Sequence, residues 1–581
     1  MNLMSIAKTL MKKWFLLSPA YFIVFILSWF GLGATPIPIA PFFNLPLILI
    51  LVRTKHSEVN VFPLFFTIAI GAGLSYHEPK SPFGNYYDDF KILAAVGCII
   101  STCTLVPMVI SNILLTRTKI TEYTDHIWII FPLLWTTTWS LIRRYSPLGS
   151  WGDWAYAIYN VGYTGDPMMQ MTSIGGLSII NLFLSFYAQF VADYMIYTHK
   201  IKRMDTQQNN EALPYTEETP LLDGYNNSST NNRVKKLSEQ NWYFMIALGI
   251  LFLALFVNGS YRLQYIEDNS EPLKTITIGC VLPTNDISIE DLLKSSDTLA
   301  NNHNSKIVLW SESAISIRTP KEFDDMISKA KNLTAKKHFF LGITYTIRDD
   351  VNSHQKKNML TLIGPEGDII FNYQKVHPVP LVESYYINGG QNDPPIKNIT
   401  FPKTKRDDTA SMIVSGAICL DMDFPELLGK AAEAYLVLSP AQTWSAHIGL
   451  QHLKMASVRA IENGYWILRC DGSGASGLVD PLGRIRHLEI STNTKNTQLF
   501  SWDIPLEEPK IETVYSKWGE YSVWGTIVLL SVLRVGWIAS WFAFPDNMDN
   551  MWDAGVKIIK DGQQWVQQKY DEVFDDRRNI Q

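Results

Sequence analysis

The chain has 581 residues, a formal net charge of −5 and 47% hydrophobic residues. That length exceeds one ordinary domain, and nothing in the charge balance points to nucleic acid. A mean hydropathy of +0.02 is high for a chain that is 18% charged, so the apolar residues have to be segregated. The first third and the last eighth carry long apolar runs, and the middle has the character of a soluble domain.

Phe15 to Gly33 is apolar and long enough to span a bilayer. It follows Lys12 and Lys13 and shows no small-residue cleavage site, so it reads as an anchor rather than a signal peptide. Further candidate spans are Pro41–Val52, which is short, Val61–Tyr76, Ile92–Leu115, Ile127–Leu141, Ser173–Tyr197, Trp242–Val257 and Tyr521–Phe544. Lys and Arg set the orientation of such spans. Lys8, Lys12 and Lys13, then Arg53 and Lys55, then Arg117 and Lys119, then Lys200, Lys202, Arg203, Lys235 and Lys236 all fall on one side, expected to be cytosolic. Arg143 and Arg144 fall on the other side and dissent. On this count 1–260 is a membrane domain of seven spans, 270–515 is lumenal or extracytoplasmic, 520–544 is a final transmembrane helix and 545–581 a cytosolic tail. Arg534 lies near the middle of the last span, where a charge is costly and is expected to meet a polar group of the N-terminal bundle. Trp552, Val556, Ile559 and Val566 could share one side of a helix in the tail, as a membrane-surface helix would need.

The segment His199 to Gln240 is rich in Asn, Gln, Ser and Thr and reads as a disordered cytosolic loop. It contains Glu217-Glu218-Thr219-Pro220-Leu221-Leu222, which resembles the acidic dileucine signal that sorts cargo to lysosomes or vacuoles. Asn332-Leu333-Thr334 and Asn398-Ile399-Thr400 are glycosylation triplets if the middle segment enters a eukaryotic secretory pathway. The five cysteines have no metal-type spacing, and Cys98 and Cys103 lie in an apolar run, which speaks against a disulfide framework.

The middle alternates two patterns. Thr275–Val281, Lys306–Leu309, His338–Tyr345, Met359–Ile363, Ile369–Phe371, Ser411–Ile418, Ala434–Leu438 and Tyr465–Arg469 read as strands. Asp286–Asn302, Lys321–Lys336 and Gly449–Asn463 read as helices, which makes an α/β domain. Three strand ends carry reactive side chains. Glu312 follows Val308-Leu309-Trp310-Ser311; Lys375 follows Phe371-Asn372-Tyr373-Gln374; Cys419 follows Gly416-Ala417-Ile418, with Pro425-Glu426 starting a helix beyond it. A lone cysteine is more often a packed one than a reactive one. Joined to a carboxylate that can take its proton and a lysine that can stabilise an anion, it becomes a nucleophile candidate.

Together these stretches resemble the nitrilase superfamily, with its Glu-Lys-Cys triad in this order. They resemble most its membrane-embedded branch, the bacterial apolipoprotein N-acyltransferases. Glu383, eight residues after Lys375, matches that family's Lys-to-Glu segment; Gln451-His452-Leu453-Lys454-Met455-Ala456 and Arg459-Ala460-Ile461-Glu462 match the helix after the cysteine strand. Ser473-Gly474 through Gly483-Arg484-Ile485 matches the last strand pair, and Leu148-Gly149-Ser150-Trp151 the loop between spans five and six. The resemblance implies an αββα sandwich beside a helical membrane domain of about eight spans. It implies Glu312 as general base, Lys375 as oxyanion-stabilising lysine and Cys419 as nucleophile. Glu383, Asp421 and Trp444 become supporting or substrate-binding residues, with no metal and no cofactor. Asp421 stands where the family usually has Glu. The 403–408 run is more polar than the family's lipid-facing arm.

The activity implied is transfer of a fatty acyl group from a phospholipid donor through a cysteine thioester to an amine acceptor, a protein N-terminus or a lipid amine. A membrane-tethered amidase and an inactive scaffold are the alternatives. The dileucine-like signal, the linker and the triplets lean toward a eukaryotic, fungal relative on a vacuolar, lysosomal or other endomembrane. Changing Leu221 and Leu222 to Ala is expected to move the protein away from that membrane, as fluorescence microscopy of a tagged chain would show.

Overall fold

The computed structural model describes residues 18–53, 57–77, 86–117, 129–159, 166–211, 249–264, 275–284, 287–348, 354–401, 410–491, 496–506 and 510–529, with a few isolated positions. Leu221, Leu222, Arg534 and the tail residues Trp552, Val556, Ile559 and Val566 lie outside the described residues. Residues up to Glu520 form one compact unit and Tyr521–Gln581 a second.

Within the described residues the apolar runs are helical. They are α1 (Ser18–Phe30), α2 (Ala40–Arg53), α3 (Ser57–Leu74), α4 (Tyr86–Arg117), α5 (Ile130–Tyr145), α6 (Thr172–Glu211) and α7 (residues 249–264). Two stretches, Asp89–Leu114 and Met169–Ile196, are long and apolar enough to cross a membrane; Ser18–Phe30, Ala40–Arg53 and Val61–Leu74 are shorter apolar helices. Helix α6 bends at Gly175 and Gly176 and continues to Glu211, so helix extends into the segment expected to be a disordered loop from His199. The dissenting arginines are not free charges. Arg143 is buried, with Nη1 2.5 Å from Asp153 and Nη2 2.7 Å from Glu520. Arg144 pairs with Glu426 at 2.9 Å.

The middle of the chain is a sandwich of two sheets. Strands β1 (Thr275–Leu282), β2 (Ser305–Trp310), β3 (Ile315–Ile317), β4 (Phe340–Arg348), β5 (Lys356–Ile363) and β6 (Ile369–Gln374) belong to the first, with β13 (Gln498–Pro505) beside β1 at its edge. The second runs in the order β12 (Ile485–Ile490), β11 (Ala475–Val479), β10 (Trp466–Asp471), β9 (Leu436–Ala441), β8 (Ser411–Gly416) and β7 (Lys397–Thr400). Period-two alternation sorts the side chains. On β9, Leu436 and Leu438 enter the core between the sheets, where they join Ile278, Leu309, Leu360 and Val414. Val437 points the other way, onto Leu453, Ala456 and Ala460 of α11 (Ala446–Asn463). The first sheet's outer face, with Val281, Val308 and Ile343, is covered by α8 (Ile289–Asn302) and α9 (Pro320–Lys337) through Leu292 and Met326. The order helix, sheet, sheet, helix is the αββα sandwich that the resemblance implies.

Local chemistry fixes the helix starts. Ser288, Thr319 and Ser445 each accept a backbone N–H of the first turn, and Pro320 occupies the first position of α9. Strands β3, β7 and β13 are not among the predicted ones. β7 is short and largely exposed, and β13 alternates poorly because it forms an edge. β13 gains its identity from antiparallel pairing with β1, more than 200 residues earlier, from Thr275 opposite Pro505 to Leu282 opposite Gln498.

The expectation against disulfides is corrected. Cys280 on β1 and Cys470 on β10 are bridged, with their Cα atoms 5.5 Å apart. They are 190 residues apart in sequence, and only the facing of the two sheets brings them together. Replacing both with serine is expected to destabilise the domain by about 2–4 kcal/mol, read as a lower thermal midpoint, and non-reducing peptide mapping should recover the 280–470 link.

Candidate active site

β2 and β6 run in the same direction in the first sheet, β8 lies in the second, and the residues just beyond the three strands converge. Glu312 lies two residues past β2, Lys375 directly past β6 and Cys419 three past β8. All three are buried. The Lys375 ammonium donates to Glu312 Oε1 at 2.7 Å and to Glu383 Oε2 at 2.6 Å. Glu312 Oε1 also accepts from Asn358 Nδ2 at 2.7 Å, and its Oε2 accepts from the Gln442 backbone N–H at 2.9 Å. The Cys419 thiol lies beside the Glu312 carboxylate.

Burial pushes the Glu312 carboxyl up, against the pull of Lys375. Burial opposes the charge on Lys375, but Glu312, Cys419 and Glu383 outweigh it and hold the ammonium well above its usual range. Burial, then Glu312, push the Cys419 thiol well above an ordinary thiol, with Lys375 pulling the other way. The thiol and the Glu312 carboxyl are thus both shifted toward their neutral forms, and Lys375 toward its charged form. A thiol in this position can pass its proton to Glu312, and the Lys375 ammonium can offset an anion formed at the same point.

Cys419 has φ 48°, a left-handed conformation uncommon for a residue with a side chain. Ser313, next to Glu312, and Leu381, two residues before Glu383, are left-handed as well, at 53° and 63°. Strain of this kind persists only where the surroundings over-determine it. Asp421 provides much of that constraint. It is fully buried and accepts from Ile418 N at 3.1 Å, His377 N at 2.8 Å, Val376 N at 3.2 Å and the Tyr373 hydroxyl at 2.9 Å. One carboxylate thus ties the Lys375 strand end to the Cys419 turn. The cysteine itself opens a 3-10 turn over Cys419–Asp423, and the helix that Pro425 starts, α10 (Pro425–Gly429), follows it.

Five of the six residues named from the sequence meet here. Trp444, two residues past Gln442, packs half-buried against the apolar cluster of Val379, Leu420 and Phe424. Sequence reasoning missed Asn358, the Gln442 N–H, Tyr373 and His377. Asn358 is the third residue of β5 and alternates onto the site face, a signal that appears only once the register with β6 is known.

The carbon-nitrogen hydrolase family matches residues 281–508. This stretch is a carbon-nitrogen hydrolase domain. It holds Glu312, Lys375, Glu383 and Cys419. Curated proteins similar to parts of this chain carry the name apolipoprotein N-acyltransferase. That of Pseudomonas putida is 27% identical over 248 residues, which cover 40% of this chain and 46% of that protein. That of Borreliella burgdorferi is 24% identical over 441 residues, 71% of this chain and 74% of that protein. The chain thus spans less than half the length of the Pseudomonas putida relative. Among solved structures, the amidase from Nesterenkonia sp. AN1 in complex with butyramide is similar at 19% identity and a TM-score of 0.33, covering 40% of this chain and 91% of that one.

In the carbon-nitrogen hydrolase domain, Asn358 stabilises the ionised form of Glu312 by donating to it. Removing that donor favours the neutral acid, so the carboxyl titrates higher. Asn358→Ala is expected to move the acid limb of the rate–pH profile upward, which a kcat/KM series across pH would detect.

Proposed function

We propose that this chain is a multi-pass membrane N-acyltransferase that moves a fatty acyl group from a phospholipid to an amine through a Cys419 thioester. The observation that carries the reading is the buried Glu312–Lys375–Glu383 set against the Cys419 thiol, on a carbon-nitrogen hydrolase domain in one compact unit with long apolar helices. Relatives named apolipoprotein N-acyltransferase support it. The proposed topology is the eight-span one, with the catalytic domain lumenal or extracytoplasmic and an endomembrane as its location. The buried Cys280–Cys470 bridge fits an oxidising compartment, and Asn332 and Asn398 are both exposed.

In the first half-reaction Cys419 Sγ attacks the ester carbonyl carbon while Glu312 takes the thiol proton. Lys375 stabilises the tetrahedral oxyanion. The carbon–oxygen bond breaks, and the leaving alkoxide takes the proton back from Glu312. In the second half the acceptor amine attacks the thioester and gives its proton to Glu312. The carbon–sulfur bond breaks, an amide leaves, and the thiolate is reprotonated. Apolar helices beside the site let the donor's acyl tails stay in lipid while the ester reaches the sulfur.

Cys419→Ala is expected to abolish turnover while the protein still accumulates in membranes. Mass spectrometry of the trapped wild-type thioester is the deciding measurement. A long fatty acyl group on Cys419 supports the transferase, a short polar one would instead indicate an amidase, and substantial transfer by Cys419→Ala would overturn the nucleophile.

A further inference from the structure

The nucleophile turn is gripped from the helical half of the molecule as well as from the sandwich. The loop between α5 and the turn at Trp154–Ile158 reaches the backbone just past Cys419. Ser150 N donates to the Asp423 carbonyl at 2.8 Å. Gly149 sits directly against the same carbonyl, and a Cβ there would fall 2.5 Å from Asp423 O and 3.2 Å from the Phe424 ring. Gly149 also has φ +56°. Conformation and space therefore both demand glycine at this position. The ring of Phe424 in turn stacks on His377, with centroids 3.4 Å apart and planes 7° apart. His377 N donates to Asp421, whose other oxygen accepts from Ile418 N.

A second contact runs parallel to the first. Trp151 meets the His452 ring edge-on at 5.1 Å, and His452 Nδ1 lies 3.5 Å from Asp423 Oδ1. Both Asp423 and His452 are buried. The Arg144–Glu426 pair at the start of α10 is about half exposed on both sides, so it adds little.

A cysteine held left-handed costs on the order of 1–3 kcal/mol, and its turn can relax if one flank is released. The flank before Cys419 is fixed by Ala417 N donating to the Leu438 carbonyl of β9 at 3.0 Å. The flank after it is held by the Asp421 contacts and, at Asp423, by the loop from the helical half. We propose that Gly149 and Ser150 are positioning residues for the Cys419 nucleophile. In this arrangement the helical half of the chain sets the aim of the sulfur and does more than anchor the domain. This rests on the reading of Cys419 as the acylated residue, but not on the identity of the acyl donor.

Single-turnover acylation of the full-length protein in detergent tests it, with a phospholipid and with p-nitrophenyl butyrate as separate donors. Gly149→Ala is expected to lower the maximal rate of Cys419 acylation about 10- to 100-fold, the scale of an ångström-size misplacement, with half-saturation unchanged. A loss that only reflects damaged folding would instead lower the amount of active enzyme, seen as a smaller burst at the wild-type rate. Phe424→Leu, which removes the stack on His377 without adding bulk, should slow the same step, and it carries the test if Gly149→Ala does not accumulate. A wild-type maximal rate in either accumulated variant overturns the proposal. If the wild-type protein is acylated by the chromogenic ester but never by phospholipid, the donor reading fails alone, and the ester still reads the positioning effect.

Discussion

One buried ammonium organises this site. Lys375 has no solvent exposure and is shared between Glu312 and Glu383. Leaving either carboxylate or the lysine alone in that interior would strand an uncompensated charge, a penalty that typically reaches about 3–5 kcal/mol. The three charges therefore hold one another, and with them the ends of β2 and β6 and the loop that carries Glu383. That loop is pinned again where Glu383 Oε2 accepts from Val379 N at 3.0 Å. Burial, and then the negative charge of Glu312, push the neighbouring Cys419 thiol toward its neutral form.

The polar wiring around the cysteine follows from the turn it occupies. A chain leaving a strand and entering a helix within a few residues cannot complete its backbone hydrogen bonds in either element. Asp421 satisfies four donors around that gap, two of them from the lysine strand's continuation and one from the turn itself. Its position two residues beyond Cys419 is what allows a short carboxylate to reach back. The chemistry and the backbone accounting are met by the same few side chains.

Helix α11 shows how closely the helical half and the sandwich are joined. It covers the second sheet with Leu453, Ala456 and Ala460, yet its opposite side is buried too, with Lys454 donating to the Gly33 carbonyl at 3.3 Å and Arg459 reaching Tyr156 at 3.4 Å. Tyr159 and Gln170 in turn donate to the carbonyls of Gly483 and Leu482. Arg459 is paired within the helix with Glu462 at 3.0 Å, and the helical half adds the Gly33 carbonyl for Lys454 and the Tyr156 hydroxyl for Arg459.

Much of this architecture is legible in the amino-acid order. The eight strongest strands and three helices follow from alternation and helical period, and the Glu312, Lys375, Cys419 and Glu383 set from residue types at strand ends together with a family resemblance. The apolar runs declare their helices by composition alone. What the sequence could not supply is anything that depends on which distant segments touch. Edge strands β7 and β13 are defined by their partners rather than their own pattern. The Cys280–Cys470 bridge joins strands that no spacing rule connects. Asn358 becomes part of the site only through the register of β5 against β6, and Arg143 finds its carboxylate partners, Asp153 and Glu520, only in the fold. Periodicity and residue chemistry are local properties and can be read along the chain; charge pairing, burial and strand register are set by contacts across it, and only the tertiary structure decides them.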